Sequence, residues 1–427
     1  MVADAAEGAA HRAIELAARS SYGRLVAVLS ARSHDLAAAE DALSDAFAAA
    51  LAQWPVAGVP ASPEAWLVST ARRRLADGRR RASVRESAAD DLAYVATLLQ
   101  RSDAISDAAT GPFPDRRLGL MFACAHPAVD ASVRTPLMLQ VVLGLDAGNV
   151  ASAFLESPSS MAQRLVRAKR KLRDAGIPFA VPEREELPPR LTAVLEAIYA
   201  AFSAGWDAVT GGDVGSGAMS HADLADEAIW LGPLVVDALP VEPEAKGLLA
   251  LMLYCHARRD ARTGADGAYR PLAHQDPARW SMALIGEAEA ALAAAARQLQ
   301  PGRFQLEAAI QSAHLAPAFG RPADWGAVVA LYDTLLAYAP TVGALVGRAA
   351  ALAEAFGAAA GLDACDALAE GVVQGYQPWW ALRAHLLARL GRHEEARPAY
   401  ERAAGLTRSV AVRAYLLGVR DRARITP

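Results

Sequence analysis

Apolar positions along this chain recur at spacings of three and four, and alternating strand-like runs are scarce. Ala is abundant and β-branched runs are few, which favours helix almost throughout. The expected fold class is therefore all-α. The stretch Pro158–Arg173, PSSMAQRLVRAKRKLR, shows the pattern most plainly. Met161, Leu165, Ala168 and Leu172 fall on one stripe, and Ser160, Gln163, Arg167 and Arg170 lie opposite. Ser157, Pro158, Ser159 and Ser160 supply capping and first-turn chemistry. The reading is a helix docked by one face and offering a cationic face to an anionic partner.

The same periodicity divides the rest of the chain. Ile14, Leu16, Leu25, Val28 and Leu29 mark one or two early helices. Residues 36–54 carry Leu43, Phe47, Leu51 and Trp54 on one face, with Glu40, Asp41 and Asp45 away from it. Pro55, Gly58 and Pro60 are expected to break that helix. Ser62-Pro63-Glu64 starts another, which runs through Trp66 and Leu67 into Arg72, Arg73, Arg74, Arg79, Arg80 and Arg81. Residues 82–114 read as a linker with one helix near Asp91–Leu99. Helices at Arg116–Ala125, Ala131–Leu143 and Ala147–Phe154 follow. Only Leu155-Glu156-Ser157 separates the last of these from the basic helix, the layout of a helix-turn-helix whose second helix enters the major groove. Gly148 inside the first helix costs it roughly 1 kcal/mol. Residues 210–220 read as a loop. Trp380–Ala403 matches one tetratricopeptide unit, with a Leu390-Gly391 turn, small Ala384 and Ala396, and aromatic Tyr400. Val328–Pro340 is a weaker half-unit, and such units stack into surfaces for peptides or partner helices.

Composition and charge sharpen this. At 53% hydrophobic residues the chain is not mostly disordered. No run approaches a membrane span, and the N-terminus shows no secretory pattern, so a cytoplasmic location is expected. Cys124, Cys255 and Cys365 are far apart and form no metal-type pair. Residues 1–180 hold 21 Lys and Arg against 19 Asp and Glu, net +2; the remainder holds 22 against 28, net -6. The basic residues are bunched, with six in 72–81 and six in 164–173. Such density suits phosphate contact.

Ala39-Glu40-Asp41-Ala42-Leu43-Ser44-Asp45-Ala46-Phe47, with Pro63–Arg74 and Asp77, resembles region two of bacterial extracytoplasmic-function sigma factors. Met161–Lys171 looks like region four. The tail with Asp276, Trp280, Gln305-Leu306 and the tetratricopeptide unit is similar to the subgroup with a large C-terminal helical extension. The resemblance implies a region-two domain at 8–82, a linker at 83–113, a region-four domain at 114–180 and an extension at 187–427. It implies RNA polymerase core as partner, through the β′ clamp helices and the β flap, and promoter DNA as target. Asp41, Ser44 and Asp45 would face the clamp. Arg72, Arg73, Arg74, Arg79, Arg80 and Arg81 would meet the minus-ten element. Ser159, Ser160, Gln163, Arg164, Arg167, Lys169, Arg170 and Lys171 would meet the minus-thirty-five element. The family usually has Gln and Glu where this chain has Ser44 and Asp45, and Cys-Cys-His-Pro where it has Cys124-Ala125-His126-Pro127.

Competing readings shape the expectations. Trp54 and Trp66 lie within apolar stripes, which favours core packing over base stacking. The histidines have no ligand-like partners nearby in sequence, so no metal or cofactor is expected. Arg270, Gln275, Asp276, Arg279 and Trp280 form either a polar site or a structural network. No nucleophile, phosphate loop or paired-carboxylate constellation points to an enzyme. The expected role is sigma factor, with the extension regulating it or docking a partner. The alternatives are a stand-alone helix-turn-helix regulator with a tetratricopeptide sensor, or a tetratricopeptide scaffold.

Overall fold

A computed structural model of the chain describes residues 2–33, 35–82, 116–145, 147–154, 156–174, 182–208 and 221–422. The helix expected near Asp91–Leu99 and the loop at 210–220 lie outside the described residues. The chain is all-α: among the described residues every regular element is a helix, beside one isolated bridge between Thr263 and Tyr269. It forms two compact units, one of residues 1–204 with 215–224, the other of 205–214 with 225–427.

The first unit begins with α1 (Val2–Ser33), α2 (Leu36–Ala57) and α3 (Pro63–Ala82). Asp35 caps α2 by accepting from the Ala38 N–H at 3.1 Å. Leu36, Ala39, Leu43, Ala46, Ala50 and Trp54 are the buried face of α2. Pro55 does not break this helix; it sits in the last turn, two residues before the helix ends at Ala57. Gly58, at φ 87°, supplies the stop. Trp54 is 1% exposed and meets Trp66 edge-on with ring centroids 5.4 Å apart, so this pair closes the α2–α3 hairpin. Leu51, expected on the buried face, is instead 46% exposed. Glu64 near the start of α3 accepts from the buried Ser21 hydroxyl and pairs with Arg24, tying α3 to α1.

The unit continues with α4 (Arg116–Cys124), α5 (Ala131–Val141), α6 (Ala147–Ala153), α7 (Pro158–Asp174) and α8 (Pro188–Ala208). Leu118, Met121, Phe122 and Cys124 on α4 are fully buried. Asp130 caps α5 through the Ser132 N–H at 2.9 Å. Arg190 anchors α8: it is 5% exposed, donates to the Phe122 carbonyl at 3.2 Å and pairs with Glu186. Most of α8 therefore belongs to the first unit, although the sequence places it in the extension.

The second unit takes most of α9 (His221–Ala238), then α10 (Pro243–His256), α11 (Met282–Ala296), α12 (Arg303–Leu315), α13 (Trp325–Tyr338), α14 (Val342–Phe356), α15 (Ala358–Asp366), α16 (Glu370–Val373), α17 (Gln377–Arg389), α18 (His393–Leu406) and α19 (Val410–Arg422). Contacts run mainly between neighbours in sequence. Glu244 on α10 accepts from the Phe304 and Gln305 backbone N–H groups at 2.9 and 3.2 Å, capping α12 from outside. Gly247 allows this approach, since a Cβ there would lie 2.7 Å from the Gln305 nitrogen. The α17–α18 pair turns at Gly391, φ 71°, and buries Ala384, Leu386, Leu387, Ala396 and Tyr400 in one core with Leu362 and Leu416.

Burial holds His314 of α12 neutral, with its pKa lowered to about 4 and Arg258 adding to the effect. Its ring packs against Trp325 at 5.5 Å. The unfolded chain protonates histidine near pH ~6.5, so below that value the unfolded state binds the extra proton. The second unit should thus be at full stability above pH ~6.5 and lose on the order of 2–3 kcal/mol as pH falls toward 4. Urea unfolding across this window checks it, and His314→Gln should flatten the slope.

Candidate nucleic-acid interface

The geometry of α7 follows from its sequence. The Ser157 hydroxyl accepts from the Ser160 N–H at 3.2 Å, and Pro158 opens the first turn. Met161, Leu165, Ala168 and Leu172 are all buried, so the apolar stripe is the docking face. Ser159, Ser160, Gln163, Arg167, Arg170 and Lys171 are exposed on the other side. The packing of α6 against α7 places this outer face clear of the unit's core.

Two of the expected DNA-facing residues are committed inward. Arg164 pairs with Glu156 and donates to the Ser132 carbonyl and hydroxyl at 2.8 and 3.0 Å. It staples the start of α7 to the start of α5. Lys169 pairs with Glu40 of α2 at 2.7 Å, and the two side chains are only 17% and 13% exposed. The sequence set Glu40 away from the apolar face of α2; it is nonetheless largely buried, because α7 covers that side of the helix. Glu40 sits one residue after buried Ala39, and Lys169 one after buried Ala168. Both therefore flank apolar stripes, and this adjacency was the signal available in the sequence.

Around this pair the medium is apolar. Burial raises the Glu40 carboxyl pKa above its usual range, and Lys169 pulls it back down. Burial likewise pushes the Tyr22 hydroxyl up, with Glu40 and Asp41 adding to it. The Cys124 thiol is raised by its complete burial, and the Glu40 charge reinforces this.

Also on α2, Asp41, Ser44 and Asp45 are exposed. On α3, Arg73 and Arg74 are exposed and Arg72 is half-buried. Arg79, Arg80 and Arg81 belong to the last turns of α3, and the side chains of Arg79–Arg81 lie outside the described residues. The structure thus brings Lys169 to Glu40 of α2 and leaves the neighbouring Asp41, Ser44 and Asp45 exposed.

In the second unit, residues 258–281 form an irregular loop fixed by its own polar groups. Arg262 stacks at 4.0 Å over the Trp206 ring and donates to the Trp206 carbonyl at 2.5 Å. Gln275 donates to the Arg270 carbonyl at 3.2 Å, Arg270 pairs with Asp266 at 2.9 Å, and Arg279 donates to the Thr263 carbonyl at 2.7 Å. Asp276 accepts from the Ala278 N–H at 3.0 Å, while Gln275 Oε1 and Trp280 Nε1 are buried with no hydrogen-bond partner among the described residues. Among the described residues no group of His, Cys, Asp and Glu is arranged to hold a metal, and no helix is long and apolar enough to cross a membrane.

Comparison with known proteins agrees with this layout. Residues 18–85 match sigma-70 region 2, spanning much of α1 and all of α2 and α3. Residues 190–296 match a family of unknown function, DUF6596. An uncharacterized protein of Rhizobium meliloti (strain 1021) is 37% identical over 404 residues, 94% of this chain and 94% of its own length. No solved structure matches the chain. The chain belongs to one family with the Rhizobium protein, and its residues 18–85 carry a sigma-70 region 2.

Removing one partner of the buried pair strands the other charge. Lys169→Met should cost the first unit roughly 2–4 kcal/mol at pH 7, and adding Glu40→Gln should recover most of it. The loss should shrink on acidification: Glu40's folded pKa lies above its unfolded value, so its contribution is favourable below the unfolded pKa and lost as pH rises through the folded one. Urea unfolding of the single and double variants at two pH values measures both effects.

Proposed function

We propose that this chain is a sigma factor of the extracytoplasmic-function type, which directs RNA polymerase core to a defined set of promoters. The observation that supports it most is the coincidence of the region 2 match with a three-helix unit whose third helix is arginine-rich, followed by a basic helix with an exposed polar face. In this reading α6 and α7 are a helix-turn-helix. Gln163 and Arg167 reach base edges of the minus-thirty-five element, and Ser159, Ser160, Arg170 and Lys171 hold its phosphates. The arginines of α3 meet the minus-ten element as it opens. Asp41, Ser44 and Asp45 present an acidic, exposed surface suited to the basic clamp helices of the β′ subunit. Arg164 orients α7 rather than reading DNA. The chain acts by binding and positioning, with the chemistry left to the polymerase.

The second unit is read as a tetratricopeptide-like extension that regulates the first by docking a partner. The α17–α18 pair, with small residues at its crossing and a glycine turn, supports this.

Transcription of a genomic promoter library by core polymerase, with and without the chain, tests the proposal. Discrete new transcripts are expected only with the chain, and none would overturn it. On a promoter so identified, Arg167→Ala should lower transcription about tenfold, within the roughly 1–3 kcal/mol of a good base contact, while leaving core binding intact. Asp41→Ala with Asp45→Ala should instead weaken core binding, read by co-elution with polymerase.

A further inference from the structure

Between α10 and α11 the helical stack is interrupted by residues 257–281, and part of this stretch folds back on itself. Thr263 and Tyr269 form an antiparallel bridge. The Gly264 N–H donates to the Ala268 carbonyl at 2.9 Å, and the Arg270 N–H donates to the Arg262 carbonyl at 2.8 Å. Asp266 turns the chain by accepting from the Ala268 N–H at 3.1 Å, and Gly267, at φ 73°, takes the left-handed position. The result is a short hairpin. Its root is fixed by Arg262, buried on the Trp206 ring, and by Arg279 on the Thr263 carbonyl. Its tip, Ala265-Asp266-Gly267, is exposed.

The hairpin reaches the far end of the second unit. The Tyr269 ring meets the Tyr415 ring of α19 edge-on, with centroids 5.6 Å apart. Just beyond the hairpin, His274 is close enough to act electrostatically on His385 of α17. Both helices pack on α18, and one segment of the α10–α11 connection reaches them both, so they share a face. The stack does not need this contact to hold together, because its helices are joined neighbour to neighbour. Tyr415 is half-buried and packs against the core of the α17–α18 pair, which fixes the ring it offers to Tyr269. A fixed aromatic ring on a helical face, met by an aromatic from a turn that is already formed, captures a peptide at low ordering cost.

We propose that the face of α17 and α19 around Tyr415 is a peptide-docking site whose built-in occupant is the Tyr269 hairpin, and that a partner docks by exchanging its own Tyr or Phe, carried beside a glycine turn, for Tyr269. The proposal rests on the reading of the second unit as a stack that docks a partner, and it names the face and the chemistry. Arg262 keeps the root seated while Tyr269 leaves.

The probe is a labelled synthetic peptide of residues 262–271, RTGADGAYRP, added to the full chain. Tyr269→Ala, which vacates the face, should bind it about tenfold more tightly than the unmodified chain, the scale of one aromatic contact. Tyr269→Ala with Tyr415→Ala should lose that gain, and a peptide with Ala in place of its Tyr should not bind. Hydrogen exchange of the full chain is an independent arm. Tyr415→Ala should speed exchange at the Gly264 and Arg270 amides several-fold and leave the Gly391 and Arg392 amides of the α17–α18 turn unchanged, which shows the stack still folded. Equal peptide affinity in all three proteins puts docking elsewhere on the stack and overturns this site alone. Failure of Tyr269→Ala to bind the peptide, or unchanged exchange at Gly264 and Arg270, overturns the occupied face. Neither arm uses polymerase or DNA, so a failure of the sigma-factor reading is a separate result.

Discussion

A carboxylate and an ammonium buried against each other organise the first unit. Glu40 and Lys169 come from helices 129 residues apart in sequence, and each is largely withdrawn from water. A buried pair of this kind seldom adds net stability over apolar packing, because desolvation offsets the attraction. What it adds is selectivity between arrangements. The helices α2 and α7 meet in the register that pairs these charges, and registers that leave either one alone are penalised. Tyr22 and Cys124 are buried close enough to the pair to feel the Glu40 charge.

The two units differ in what their surfaces offer. The first has an exposed acidic margin on α2, arginines on α3 and a polar outer face on α7, each on a separate helix. The second is stitched internally, by Glu244 capping α12 and by the Arg262–Trp206 stack. Its packing between sequence neighbours gives a stacked surface of the sort used to bind partners. The residues that match sigma-70 region 2 lie wholly in the first unit, and most of those that match DUF6596 lie in the second.

Much of this was legible from residues alone because helix periodicity is a local signal. The stripe Met161, Leu165, Ala168, Leu172 is buried as its spacing required, and the Ser157 cap and the Trp54–Trp66 packing follow the same logic. What the sequence did not show were pairings between distant segments. Glu40 lies away from the apolar face of its own helix and becomes buried only because α7 lies over it. Arg164 reads as one more cation until Glu156 and Ser132 are found beside it. Pro55 reads as a breaker because its position in the final turn depends on where Gly58 ends the helix. Arg190 gives no local hint that it reaches the Phe122 carbonyl and draws α8 into the first unit.

The central claim is that the buried Glu40–Lys169 pair fixes how α2 and α7 meet. A distance measurement between spin labels on exposed positions of α2 and α7, in the full chain, addresses this directly. The account predicts one short, narrow distance in the unmodified protein and a broader distribution in Lys169→Met. The same narrow distance in both would contradict it.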